Sequence, residues 1–342
     1  MSDWQPEPGV VIALREFKQG LLARESAQMQ TMAARWLQVE QGLGAQIDSL
    51  VYYLADLRAQ GQIPTRSQIY QLQRYRTLLA QAERQFNEYA KWASDYVTRG
   101  QAEMVRYGID HAYQATQTSY EGQIPAYFDR LSVEATENMI GLAGNGQPIG
   151  DLIYERMVRD ANGAPLPGVF ERVTQTLVEA TAQGWNPRET ARVIRDDITG
   201  GLQSALTIAR TEQLRVYREA GVEQYRQSGV VIGMRRLVAH DGRACAACLA
   251  DEGTVYPINA IIPDHPNGRC GQVPIVEGMD PVSWLGGEEW LRLQDEDVQM
   301  NTLGPGRFEL WQSGRIRLSD LVVHTQSEEW GAGIAVRPLG DL

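Results

Sequence analysis

The sequence predicts a mainly α-helical protein with a small α+β module, and three observations lead there. Apolar residues recur at alternating steps of three and four from Leu43 to Leu57 and again from Leu72 to Tyr96. A short stretch rich in valine and isoleucine, Val230 to Val238, reads as a strand. All three cysteines, Cys245, Cys248 and Cys270, share one 26-residue window with His265. The expected architecture is a long N-terminal antiparallel helical hairpin, then central helices, then a C-terminal cysteine/histidine-stapled module with a short β-sheet.

From Val11 to about Gln60 no proline interrupts the chain, and Leu43, Ile47, Leu50, Leu54 and Leu57 keep the rhythm of a helical seam. Gly20, Gly42 and Gly44 mark places for a kink, since an interior glycine costs about 1 kcal/mol relative to alanine. Gly61-Gln62-Ile63-Pro64 ends this helix, and Thr65 or Ser67 caps the next. The second helix carries Leu72, Tyr75, Leu79, Ala82, Phe86, Tyr89, Ala93 and Tyr96 in strict alternation. These aromatics read as core. With only a short turn between the stripes, an antiparallel hairpin over residues 1–124 is the economical arrangement.

After Gly122 and Pro125 the pattern shifts to shorter helices, with loops at Gly144-Asn145-Gly146-Gln147-Pro148 and from Asn162 to Gly168, giving a central helical region over 125–200. Asn186-Pro187 is a helix start, with Asn186 as N-cap and proline at the first helical position. That helix is expected to stop at Gly200-Gly201 and another to run from Leu202 to Ser228. The cysteine module then occupies 201–279, and 280–342 is an acidic C-terminal extension.

The net charge of −11 works against unspecific attraction to nucleic acid or anionic lipid. Residues 277–342 alone hold twelve acidic and five basic side chains, so most of the charge sits there, where a basic protein surface would suit it. Lysine occurs only at Lys18 and Lys91. The first eight residues lack the basic and apolar regions of a secretion signal, and no apolar run spans a membrane, so the chain reads as made and kept inside a cell, or inside something built there. No Gly-Lys-Ser/Thr occurs, which excludes a P-loop motor, and Gly144-x-Gly146 is spaced wrongly for a dinucleotide fingerprint.

Cys245-Ala246-Ala247-Cys248 offers two sulfurs from one tight turn, and His265 and Cys270 return after a loop to complete four positions. Three thiolates and an imidazole are donors a tetrahedral zinc ion takes, and a structural ion stabilises a segment too small for its own core. The bland alternative makes the cysteines small buried apolar residues and His265 a loop residue. A hydrolase would need Cys245 as nucleophile with His240 or His265 as base and Asp241 orienting it. A zinc-stapled nucleic-acid binder would draw on Arg210, Arg215, Arg218, Arg226, Arg235, Arg236 and Arg243; yet Arg215 and Arg218 share a helix with Glu212, Glu219 and Glu223, which favours local ion pairs.

Ala209-Arg210-Thr211-Glu212, Tyr225, Asp241-Gly242-Arg243-Ala244-Cys245-Ala246-Ala247-Cys248, Gly253, Tyr256 and His265-Pro266-Asn267-Gly268-Arg269-Cys270 occur in an order that resembles the head-morphogenesis domain of tailed-phage minor head proteins, the Mu F-like family. The resemblance covers about residues 150 to 276. Two positions depart from it: Ala244 stands where the family usually has threonine, and Gly268 where it usually has a further cysteine. The resemblance implies a structural minor capsid protein and no catalysis. It would associate with the portal protein, and with major capsid or scaffolding protein, during procapsid assembly or DNA packaging. It would be made in the host cytoplasm and end in the virion interior near the portal. Self-association through the N-terminal helices is a further expectation; packaged DNA would lie nearby, though the charge does not point to it.

Overall fold

A computed structural model describes residues 7–119, 129–158, 168–260, 262–327 and 330–342. The turn expected around Gly122 and Pro125 and the loop from Asn162 to Pro167 lie outside these residues.

Helix α1 (Gly9–Ala59) runs unbroken for 51 residues, about 76 Å at 1.5 Å per residue, so none of Gly20, Gly42 or Gly44 breaks it. Its buried stripe of Leu14, Leu21, Met29, Met32, Trp36, Val39, Leu43, Ile47, Leu50 and Leu54 gives it reason to persist. The turn at Gly61 leads to the short α2 (Arg66–Gln71), where Thr65 and Gln68 form a capping box. Leu72 is extended, and α3 (Gln73–Ser119) starts after it, so the expected second helix is split in two.

The pairing of α1 with α3 is antiparallel. Gln81 Nε2 donates to the Gly42 carbonyl at 2.7 Å, Trp36 stacks on Phe86 at 5.5 Å and meets Tyr89 edge-on at 4.9 Å, and Phe17 stacks on His111 at 4.2 Å. After a 3-10 turn (Val133–Met139), α4 (Ile149–Val158) and α5 (Gly168–Gln183) pack on the bundle. Its third long member is α6 (Pro187–Gln227), capped by Asn186. Arg195 reaches Asp48 at 2.8 Å and Arg210 reaches Glu25 at 2.5 Å, so α6 lies antiparallel to α1.

Helix α6 does not stop at Gly200-Gly201. Gly201 is buried where α4 crosses, and a Cβ there would lie 2.9 Å from the Met157 carbonyl oxygen; Gly200 is exposed with nothing near it. The glycine pair thus permits helix contact rather than ending the helix. Gly108 of α3 does the same further along, where a side chain would collide with the Tyr217 backbone. The apolar stripe of the hairpin is therefore covered in large part by α6, from the same chain.

Beyond α6, a three-stranded antiparallel sheet has β1 (Val231–Leu237) at its centre, flanked by β2 (Val255–Pro257) and β3 (Gly271–Val276), with Met234 opposite both Tyr256 and Pro274. One face packs on α1, α3 and α6 through Val11, Leu14, Ala112, Ala115 and Tyr225. The five-residue α7 (Ala246–Ala250) follows β1. The acidic extension is itself folded: α8 (Gly287–Arg292), α9 (Glu296–Leu303), α10 (Pro305–Gln312) and the hairpin β4 (Val322–Ser327) with β5 (Gly331–Val336). Leu291, Leu303, Phe308, Trp311, Leu318, Leu321 and Ile334 share one core with Ala246, Ala247, Cys248 and Leu249 of α7. Among the described residues no helix is long and apolar enough to cross a membrane.

Candidate metal centre

All four predicted ligands come together. Cys245 caps α7, its sulfur accepting from the Cys248 N–H at 3.3 Å, which turns both thiols of the C-x-x-C pair to one side. His265 Nε2 lies 3.3 Å from Cys245 Sγ and 3.2 Å from Cys248 Sγ. Cys270, at the entry to β3, meets Cys248 through a thiol hydrogen bond. Donor atoms of Cys245, Cys248 and His265, and likewise of Cys248, Asp264 and Cys270, lie within 4.8 Å of one another. Sulfur and nitrogen ligands of a tetrahedral zinc ion stand about 3.5 Å apart, given bonds of about 2.3 and 2.0 Å.

The histidine is oriented for coordination. Its Nδ1 faces the Pro266 carbonyl at 2.9 Å, so an Nδ1–H tautomer donates there and leaves the Nε2 lone pair toward the sulfurs, the usual arrangement of a metal-bound imidazole. The electrostatics favour anionic sulfur at Cys245 and Cys270. The hydrogen bond from Cys248, with His265 beside it, draws Cys245 down to about 4. The Cys248 bond, with Arg236 nearby, lowers Cys270 to about 7. Cys248, buried between the other two sulfurs, is raised. Contact with Cys245 raises His265 to about 9, so without a metal Nε2 carries a proton at neutral pH, and a bound metal would take that proton's place.

The ligand loop has no apolar core of its own and is held by polar bonds from α6 and α1 and by close packing of the C-terminal hairpin. From α6, Arg210 Nη1 is 3.5 Å from Asn267 Oδ1, Thr211 Oγ1 accepts the Asn267 N–H at 2.9 Å, and Arg218 donates to the Gly268 carbonyl at 3.0 Å. Asn267 has a left-handed backbone, φ 64°, which an asparagine tolerates. From α1, buried Lys18 donates to the Cys270 carbonyl at 3.1 Å; burial, with Arg218 alongside, lowers it to about 7. From the C-terminal hairpin, Gly333 abuts the Asp264 backbone so closely that a Cβ would stand 2.9 Å from its carbonyl oxygen. Buried Arg236 joins Asp251 at 2.6 Å and the Pro263 carbonyl.

Two side chains here were not among the expected site residues. Lys18 sits within the apolar stripe of α1, between Leu14 and Leu21, and a lysine in that phase was the signal available. Asp264 had no such signal. Its carboxylate is 9% exposed, with Arg218 Nη1 at 2.9 Å and Arg236 Nη1 at 3.9 Å, and it accepts the His265 N–H at 2.9 Å. It fills the space a side chain at Gly268 would need.

His240 stands apart from the thiols. It contacts Glu252 through Nε2 and Arg15 through Nδ1, at 3.0 Å, and stacks on Trp290, which leaves His265 as the histidine within reach of Cys245. The seven arginines weighed for nucleic acid are mostly committed internally. Arg215 pairs with Glu212 and Glu219, Arg218 with Asp264, Arg226 with Glu223, and Arg235 covers Trp284 while donating to two carbonyls. Arg243, 67% exposed and 3.8 Å from Asp241, is the loosest of them.

In comparison with known proteins, the chain matches no protein-family model, no curated protein and no solved structure.

Proposed function

We propose that the protein is a structural minor head component of a tailed phage, acting at the portal vertex during procapsid assembly or packaging, with a zinc ion on Cys245, Cys248, His265 and Cys270 as a structural staple. The observation that carries this reading is the convergence of its motif residues. Arg210, Thr211, the C-x-x-C pair and the His265–Cys270 loop are far apart in sequence, and together they build and brace two overlapping donor triads that share Cys248. Such an ion has all four positions filled by protein, and that suits a staple better than a reactive centre.

Charge balance supports the ligand set. Three thiolates and a neutral imidazole leave a divalent ion with one net negative charge. Around it Arg218 and Arg236 face Asp251 and Asp264, and Lys18, lowered to about 7, can take up the proton that offsets the remaining charge. Buried charges without such compensation would be strongly destabilising. The internal commitment of the arginines favours a protein partner over nucleic acid.

The test is capture from nuclease-treated lysate of cells expressing the chain together with the portal, capsid and scaffolding genes of its own phage. The portal oligomer is expected to co-purify with the chain. Retention on DNA that falls steeply with salt, without portal, would overturn the proposal in favour of the nucleic-acid reading.

A further inference from the structure

We propose that Asp264 is a reserve ligand of this site, able to replace Cys245 on a bound four-coordinate ion. The inference rests on the metal-staple reading above. Five donor side chains converge where a tetrahedral ion accepts four. They form two overlapping triads that share Cys248: an outer one with Cys245 and His265, and an inner one with Asp264 and Cys270.

The two triads differ in access. Cys245 is half-buried and borders a cleft of about 250 Å3 whose walls include Arg243 and Arg269. Cys270 is buried and Asp264 nearly so. Of the three sulfurs, Cys245 is thus the one that solvent or a competing ligand reaches first, with the half-buried His265 beside it in the same cleft.

Asp264 is suited to step in. Oδ1 is occupied by the His265 N–H, whereas Oδ2 is buried with no hydrogen bond aligned on it, although Arg218 Nη1 lies 2.9 Å away as its ion-pair partner. That oxygen retains lone-pair capacity, and one oxygen of the same carboxylate lies within 4.8 Å of the Cys248 and Cys270 sulfurs. Gly268 keeps the position open, because a side chain there would collide with the carboxylate. The exchange balances: one metal–sulfur bond breaks and one metal–oxygen bond forms, one anionic donor replaces another, and Cys245 leaves as a thiolate that still accepts the Cys248 N–H.

The experiment is titration of the metal-stripped full chain with Co(II), then Zn(II) competition, with far-UV circular dichroism on every variant. Wild type is expected to bind one Co(II). Cys245→Ser should still bind one, with its thiolate-to-cobalt absorption reduced by about a third as three sulfurs become two. Asp264→Asn alone should keep the full absorption. The double variant should lose affinity about 100-fold beyond the product of the single effects.

Loss of cobalt from Cys245→Ser alone, or additivity in the double variant, would each overturn the reserve role. A wild-type chain that binds no Co(II) would instead sink the metal reading on which it rests.

Discussion

The two ends of α6 are held in different ways. Its N-terminal half presents Ile194, Ile198, Leu202 and Ala205 to a core shared with α1, α3, α4 and α5. Its C-terminal half adds Arg210, Thr211 and Arg218, which hold a loop with polar bonds. In the first region shape and apolar area decide the structure, and contacts are numerous and individually replaceable. In the second, the loop from Asp264 to Cys270 has a few directional bonds and a cluster of thiols. A short segment of that kind needs cross-links that a long amphipathic helix does without.

The contrast is broken most severely at the cysteines. Cys248→Ser removes the donor common to both triads and should abolish metal binding, losing much of the roughly 10–16 kcal/mol such an ion contributes to a small site. Because Cys248 also lies in the core that α7 shares with the C-terminal extension, hydrogen exchange should accelerate there and around the ligand loop while the bundle stays protected. Uniform acceleration along the chain would show that the regions are not independent.

Trp36→Ala is the complementary cut. Trp36 is fully buried against Phe86 and Tyr89, and its loss should cost about 3–5 kcal/mol in denaturant unfolding, with metal content unchanged. A Co(II) affinity lower than that of the wild type in folded Trp36→Ala protein would sink the division.

The smallest effects sharpen the reading of α6. Gly201→Ala forces a methyl against the Met157 backbone and should destabilise by about 1–3 kcal/mol. Gly200→Ala meets nothing and should stabilise by roughly 0.5–1 kcal/mol through helix propensity. Thermal melts of the two variants should therefore shift in opposite directions. Two upward shifts would mean that α4 is not packed against Gly201.

Much of the helical part was legible because a long apolar stripe overrides local detail: Trp36, Phe86 and Tyr89 take core positions. Local signals misled where tertiary contact used the same residue for another purpose. Gly200-Gly201 reads as a helix stop, and only the crossing of α4 shows why small residues are needed there. At the site, cysteines and a histidine announce themselves by type and spacing. Asp264 does not, since a lone carboxylate in a loop resembles any surface aspartate until Arg218 and Arg236 are seen to enclose it. Lys18 was recoverable from its phase in the α1 stripe. The acidic surplus after residue 277 concealed the apolar residues interleaved with it, which fold onto α7.

Helix α6 has no joint between Pro187 and Gln227. It is a rod about 60 Å long that cannot bend sharply at its middle without giving up main-chain hydrogen bonds. A load applied at the bundle end is therefore transmitted to the far tip as one rigid displacement, and Arg210 and Arg218 couple that tip mechanically to the loop carrying His265. Whatever grips one end of the molecule pulls on the other.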